Sequence, residues 1–171
     1  QDSISNIFGA TTVLLDRPFQ VGDWVVIGAV EGEVMKIGLR TTLIRTSIDT
    51  VITMPNANLT NTPIENFGKR RFRRWQPIFK IDINSNPIKV SEFCDSIASL
   101  IVNHEKTMKE DSSYARVSAL GPDAIDIGCN IYWNINSAAG EREVREGFLV
   151  QIMEIAKTFD LQFHDTRRRH S

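Results

Sequence analysis

The chain has 171 residues, 42% hydrophobic and 24% charged, with a net charge of −1. That composition is ordinary for a folded protein with room for one large or two small domains, and its balance gives no reason to expect nucleic acid or anionic lipid as the main partner. Two cysteines, Cys94 and Cys129, are too few and too far apart for a disulfide framework or a zinc site, and no run approaches the ~18 apolar residues that span a bilayer.

Residues 3–15 carry Ile4, Ile7, Phe8, Thr11/Thr12 and Leu14/Leu15 at helical spacing, with the small residues Ser5, Gly9 and Ala10 between them. Asp16-Arg17-Pro18 ends that helix, because a residue before proline avoids the α region. Gly22-Asp23 then signals a turn. Short β runs follow at 24–27, 32–37, 39–46, 51–54 and 64–67, with glycines at 22, 28, 32 and 38 suited to corners and bulges. Five short strands with close turns predict a small barrel-like β domain.

Residues 69–74 and Pro77 read as a hinge to a different texture. Residues 78–83 alternate as a strand. Residues 90–103 form an amphipathic helix with Phe93, Cys94, Ile97, Leu100 and Ile101 on one face. A short strand at 116–120 precedes the cleanest pattern in the chain. Over 124–135, Ile125, Ile127, Cys129, Ile131 and Trp133 alternate with Asp126, Gly128, Asn130 and Tyr132, which predicts a half-buried strand. Val144, Phe148, Ile152, Ile155 and Phe159 recur at three and four, a second amphipathic helix, and 161–163 reads as a last strand. The order β-α-β-β-α-β matches a split βαβ, ferredoxin-like unit. The tail 166–171, with Arg167-Arg168-Arg169, has no core pattern and is expected to fray. The chain opens on Gln1 rather than Met, which reads as a piece of a longer protein.

Several motifs stand in a fixed order: Arg17-Pro18-Phe19-Gln20-Val21-Gly22-Asp23-Trp24, Glu31-Gly32, Gly38-Leu39-Arg40-Thr41-Thr42, Pro55-Asn56 and Ile64-Glu65-Asn66-Phe67. Together they resemble the small-conductance mechanosensitive channel (MscS) family, most strongly over 3–67 and more loosely beyond. The resemblance implies an α+β chain in four parts. Residues 1–16 would be the end of the pore-lining transmembrane helix, 17–77 an Sm-like β domain, 78–165 a ferredoxin-like α/β domain and 166–171 a tail. It implies the cytoplasmic cage of a homo-heptamer in a multi-pass protein of the inner (plasma) membrane. Its partners would be itself, the lipid bilayer, and the ions and small osmolytes released under hypo-osmotic tension. The resemblance fails at the end. Family members commonly close an axial barrel after a Phe-Pro turn, and Phe163-His164-Asp165-Thr166 lacks that proline.

Three groups of residues carry the expected function. Arg17, Pro18, Phe19, Gly22 and Asp23 form the helix-to-β-domain junction. Ile4, Ile7, Phe8, Gly9 and Ala10 form the helix face expected to contact the β domain. Lys69, Arg70, Arg71, Arg73 and Arg74 are candidate ion-path charges, because a dense positive hinge biases anion against cation passage. The same basic run, with Phe72 and Trp75, also fits a soluble Sm-like RNA-binding module, although no nucleic acid is expected. A non-conducting structural or signalling membrane homologue is the other reading. Trp24, Phe72, Trp75 and the apolar face of 125–133 lead us to expect burial between subunits. His104, His164 and His170 lack metal-ligand spacing, and no catalytic constellation is present. Neither an enzyme nor a cofactor is expected.

Overall fold

The chain divides into two units, Gln1–Arg70 and Arg71–Ser171. The computed structural model describes residues 2–108 and 113–166. Gln1, the Leu14 side chain, His170 and the Arg167-Arg168-Arg169 run of the sequence reading lie outside the described residues.

The first unit opens with helix α1 (Asp2–Asp16) and continues into five antiparallel strands: β1 (Trp24–Ile27), β2 (Val30–Ile37), β3 (Thr41–Arg45), β4 (Val51–Pro55) and β5 (Ile64–Asn66). Their order in the sheet is β4-β3-β2-β1-β5, with a bulge in β2 between Val34 and Lys36. Alternation sets which side chains go inward: Val25 and Ile27 of β1, Val34 of β2 and Ile44 of β3 are all buried. Val13 from α1, Phe19, Met54 and Leu59 complete this core. Glu31-Gly32 has a steric reason, because a methyl group at Gly32 would overlap the Arg45 carbonyl on β3. Gly22 sits at φ 94, a conformation that a side chain would strain.

The second unit contains β6 (Arg73–Trp75), β7 (Ile78–Asp82), helix α2 (Pro87–Asn103), β8 (Tyr114–Leu120), β9 (Ala124–Trp133) and helix α3 (Ala138–Thr158). β9 is central. β6 and β7 lie in succession along it, Arg73 opposite Trp133 and Asp82 opposite Ala124, and β8 also pairs with it. Asn86 caps α2 by accepting from the amides of Ile88 and Lys89, ahead of Pro87. Ser137 caps α3. Both helices press Val90, Phe93, Ile97, Ile101, Phe148 and Ile152 onto Ile127, Cys129, Ile131 and Trp133. Cys94 and Cys129 are both free and buried there. Burial pushes both thiol pKa values up, that of Cys129 to about 12.

Three features differ from the sequence reading. The division falls at Arg70/Arg71 rather than at 77, because Arg73–Trp75 pairs with β9 as a strand instead of serving as a hinge. Trp75 and Trp133 are not surface residues awaiting a second copy. They pack on each other and on Phe148 with ring centroids 5.5–6.1 Å apart. At 161–164 there is no full strand but a single bridge, Ile81 to Phe163, flanked by two backbone hydrogen bonds.

Candidate functional site: the junction of the first helix and the first sheet

The face that α1 turns to its sheet consists of small and polar residues. Asn6, Gly9, Ala10 and Val13 are buried at spacings of three and four. Gly9 lies so close to the 3-10 turn Asn56–Thr60 that a methyl group there would overlap the Asn56 carbonyl. Asn6 Oδ1 accepts from the Ala57 amide at 2.9 Å. The turn is itself pinned. Asn56 is fully buried, its amide donates to Arg40 O, its Nδ2 donates to Gly38 O at 2.7 Å, and its Oδ1 accepts from Thr42 Oγ1 at 2.9 Å. The motifs Gly38-Leu39-Arg40-Thr41-Thr42 and Pro55-Asn56 therefore build one rigid seat for α1.

Ile4, Ile7 and Phe8, expected on this contact face, lie on the opposite side, between 53% and 66% exposed. The correction has a physical reason. Close approach of helix to backbone needs a strip of small residues, and Gly9 and Ala10 supply it, so the large side chains turn outward with Leu15.

The exit of α1 is held as tightly as its face. The Arg17 amide closes the last turn on Val13 O at 3.1 Å, and Arg17 itself sits at φ 45. Phe19 is buried, worth about 2 kcal/mol of apolar burial. Asp23 Oδ2 accepts from the Gln20 amide at 3.0 Å and from Asn66 Nδ2 at 2.8 Å. The same Nδ2 donates to Pro18 O at 2.9 Å, and Lys69 Nζ donates to Arg17 O at 2.6 Å. Arg17, Pro18, Phe19 and Asp23 are thus brought together, with Gly22 completing the turn through its amide to Val34 O.

The basic run is divided between the two units, and its members make different contacts. Lys69 is committed to α1, and Arg70 stacks over Phe67 at 5.5 Å. In the second unit Arg71 stacks over Phe72 at 5.9 Å. Arg73 is mostly buried, donating to Glu141 at 2.8 Å and to the carbonyls of Ile135 and Asn136. Arg74 donates to Asn130 Oδ1 at 2.8 Å and lies over Tyr132. Arg73 therefore serves the fold of the second unit.

Asn6, Val13, Asn56 and Asn66 carry much of the junction; the sequence reading put none of them among its site residues, and Asn56 and Asn66 stood there only as members of the motifs Pro55-Asn56 and Ile64-Glu65-Asn66-Phe67. The available signal was Asn6-Gly9-Ala10-Val13, a helical stripe of its own, overshadowed by the larger Ile4-Ile7-Phe8 stripe beside it. Among the described residues no group of His, Cys, Asp or Glu is arranged to hold a metal, and no helix is long and apolar enough to cross a membrane.

Residues 2–69 match the family model described as the mechanosensitive ion channel β-domain. An uncharacterised MscS family protein of Aquifex aeolicus is 29% identical over 157 residues, which is 92% of this chain and 43% of that protein. The small-conductance mechanosensitive channel MscMJ of Methanocaldococcus jannaschii is 36% identical over 108 residues, covering 63% of this chain and 31% of the channel. The chain spans less than half the length of these relatives. In fold, Arabidopsis thaliana MSL1 superposes with a TM-score of 0.88 at 17% identity, over 97% of this chain and 60% of that one. Helicobacter pylori MscS in its closed state gives 0.76 at 19% identity, over 94% and 62%.

Proposed function

The chain belongs to the MscS family of mechanosensitive channels, and from that premise we propose that it is the cytoplasmic portion of such a channel. In this reading α1 is the end of the pore-lining helix, the first unit an Sm-like β domain and the second a ferredoxin-like domain. Seven copies form the cage below a pore that passes ions and small osmolytes under hypo-osmotic tension. The observation that carries the reading is the seat of α1: Gly9 against Asn56 and Asn6 on the Ala57 amide, inside the segment that matches the channel β-domain.

Tension shifts a closed–open equilibrium only through the difference in membrane area between the two states. Membrane helices supply that difference. The α1 seat supplies the opposing term, a set of contacts that the closed state keeps and the open state gives up. The exposed stripe Ile4, Ile7, Phe8 and Leu15 is left for neighbouring helices of the assembly. Patch-clamp recording of the full-length parent in liposomes, with suction applied in steps, tests the proposal. Stepwise currents above a pressure threshold, missing from protein-free patches, support it. Silence up to membrane rupture from correctly folded protein refutes it in favour of a non-conducting homologue.

A further inference from the structure

We infer that Asn66 and Lys69 are positioning residues for gating: they clamp the two consecutive carbonyls at which α1 leaves the β unit, with Lys69 as the releasable arm. The inference rests on the channel reading above and adds to it which side chains fix the direction of the helix.

The helix end needs outside help. A helix C-terminus leaves its last carbonyls unpaired and carries partial negative charge, which a nearby cation relieves. The last turn of α1 contains no basic residue, and it ends on Asp16, whose carboxylate adds to the unfavourable charge. The compensating cation comes from 52 positions along the chain, as Lys69 Nζ on Arg17 O at 2.6 Å. Pro18 O, next in line, accepts from Asn66 Nδ2 at 2.9 Å.

The exit also resists its own conformation. Arg17 holds φ 45, a left-handed value that an L side chain disfavours, and it directly precedes a proline. A residue there stays put only where its surroundings over-determine it. The two clamps do that from one short segment. Asn66 Oδ1 accepts from the Gly68 amide at 2.7 Å, turning the chain so that Lys69 reaches back to α1. Glycine at 68 suits this turn, since a methyl group there would overlap the Asp23 carboxylate and force it to shift.

The arms differ. Asn66 is half-buried and shared with Asp23, so losing it dismantles the junction. Lys69 is exposed and makes a single directional bond, so it lets go without unfolding anything. Arg70–Arg71, where the chain passes into the second unit, follows at once. A pull on that linker therefore reaches Lys69 before any other part of the junction.

The test uses the full-length parent in liposomes, comparing wild type with Lys69→Met, Lys69→Arg and Lys36→Met, the last removing an exposed lysine of β2. Expected is a lower tension midpoint for Lys69→Met, with the closed–open ratio at fixed tension changed at least about fivefold, the size expected for one charge at one helix end before the other copies add theirs. Lys69→Arg should restore it and Lys36→Met leave it unchanged. A Lys69→Met midpoint that is unmoved or raised overturns the inference, as does an equal shift in Lys36→Met, which would make net charge the cause. Amide hydrogen exchange of residues 15–20 in the same preparations gives a second readout. Lys69→Met should exchange faster there and Lys69→Arg as wild type; equal rates in all three overturn the clamp. If wild type is silent, the channel reading has failed, and the exchange data alone decide whether the clamp exists.

Discussion

Gly9 of α1 packs directly on the backbone carbonyl of Asn56, with no room between them for a methyl group. Backbone cannot yield as a flexible side chain does, so Gly9→Ala must push the helix away, uncovering Ala10 and Val13. We expect a loss of about 2 kcal/mol, read as a lower urea midpoint for the first unit with Trp24 fluorescence as probe. Gly147→Ala is the contrasting change. Gly147 lies inside α3 with open space where an alanine methyl would sit, and alanine there should add roughly 0.5–1 kcal/mol.

Because Ile4, Ile7 and Phe8 face away from the sheet, the substitution that loosens α1 from its seat is Asn6→Ala. It removes the acceptor of the Ala57 amide and leaves that donor unpaired, at a cost of about 1–3 kcal/mol. On the channel reading proposed above, Asn6→Ala in the full-length parent should lower the tension threshold. Phe8→Ser should not act through this seat. A patch-clamp comparison in which Phe8→Ser lowers the threshold and Asn6→Ala leaves it alone would restore the large-residue face.

The strands at 24–27 and 51–54 were legible as short β-branched runs bounded by turn residues, and that at 124–135 because alternation of large apolar residues is a strong signal wherever one face is buried. The working face of α1 was not, because pattern reading follows large side chains, whereas helix-to-backbone contact selects small ones. β6 was hidden for another reason. Arg73 and Arg74 look like solvated hinge charges until β9 supplies Asn130 and α3 supplies Glu141, partners far off in sequence. Lys69 shows the same limit, since its bond to Arg17 spans 52 residues.

Within the basic run, stability and charge separate cleanly. Arg73 and Glu141 are 13% and 12% exposed, and Arg145 also pairs with Glu141 while lying over Trp75. Removing Arg73 strands the part-buried carbonyl of Ile135 and part of the Glu141 charge. Arg73→Ala should therefore cost about 3 kcal/mol, whereas Arg71→Ala stays within about 0.5 kcal/mol. Urea titrations of both variants check this, with Trp75 and Trp133 reporting on the second unit. Equal losses would contradict the assignment of Arg73 to the core.

Cys129 makes the second unit sensitive to alkali. Its thiol is pushed from 9.0 to about 12, first by burial and then by the nearby Cys94. The sign follows from proton counting. Above pH 9 the unfolded chain gives up the thiol proton while the folded chain keeps it, so the unfolded state binds fewer protons and stability falls as pH rises. The contribution is intact below about pH 9 and is lost progressively toward about pH 12, at up to ~1.4 kcal/mol per pH unit. Cys129→Ala removes that slope and leaves the titration of the other groups in place. Urea midpoints of wild type and Cys129→Ala at pH 8, 9 and 10 should therefore converge as pH rises, whatever the variant loses at pH 8 through its smaller side chain. Parallel curves would mean that the thiolate is accommodated in the fold, and that the core around Ile127 and Ile131 is wetter than its packing implies.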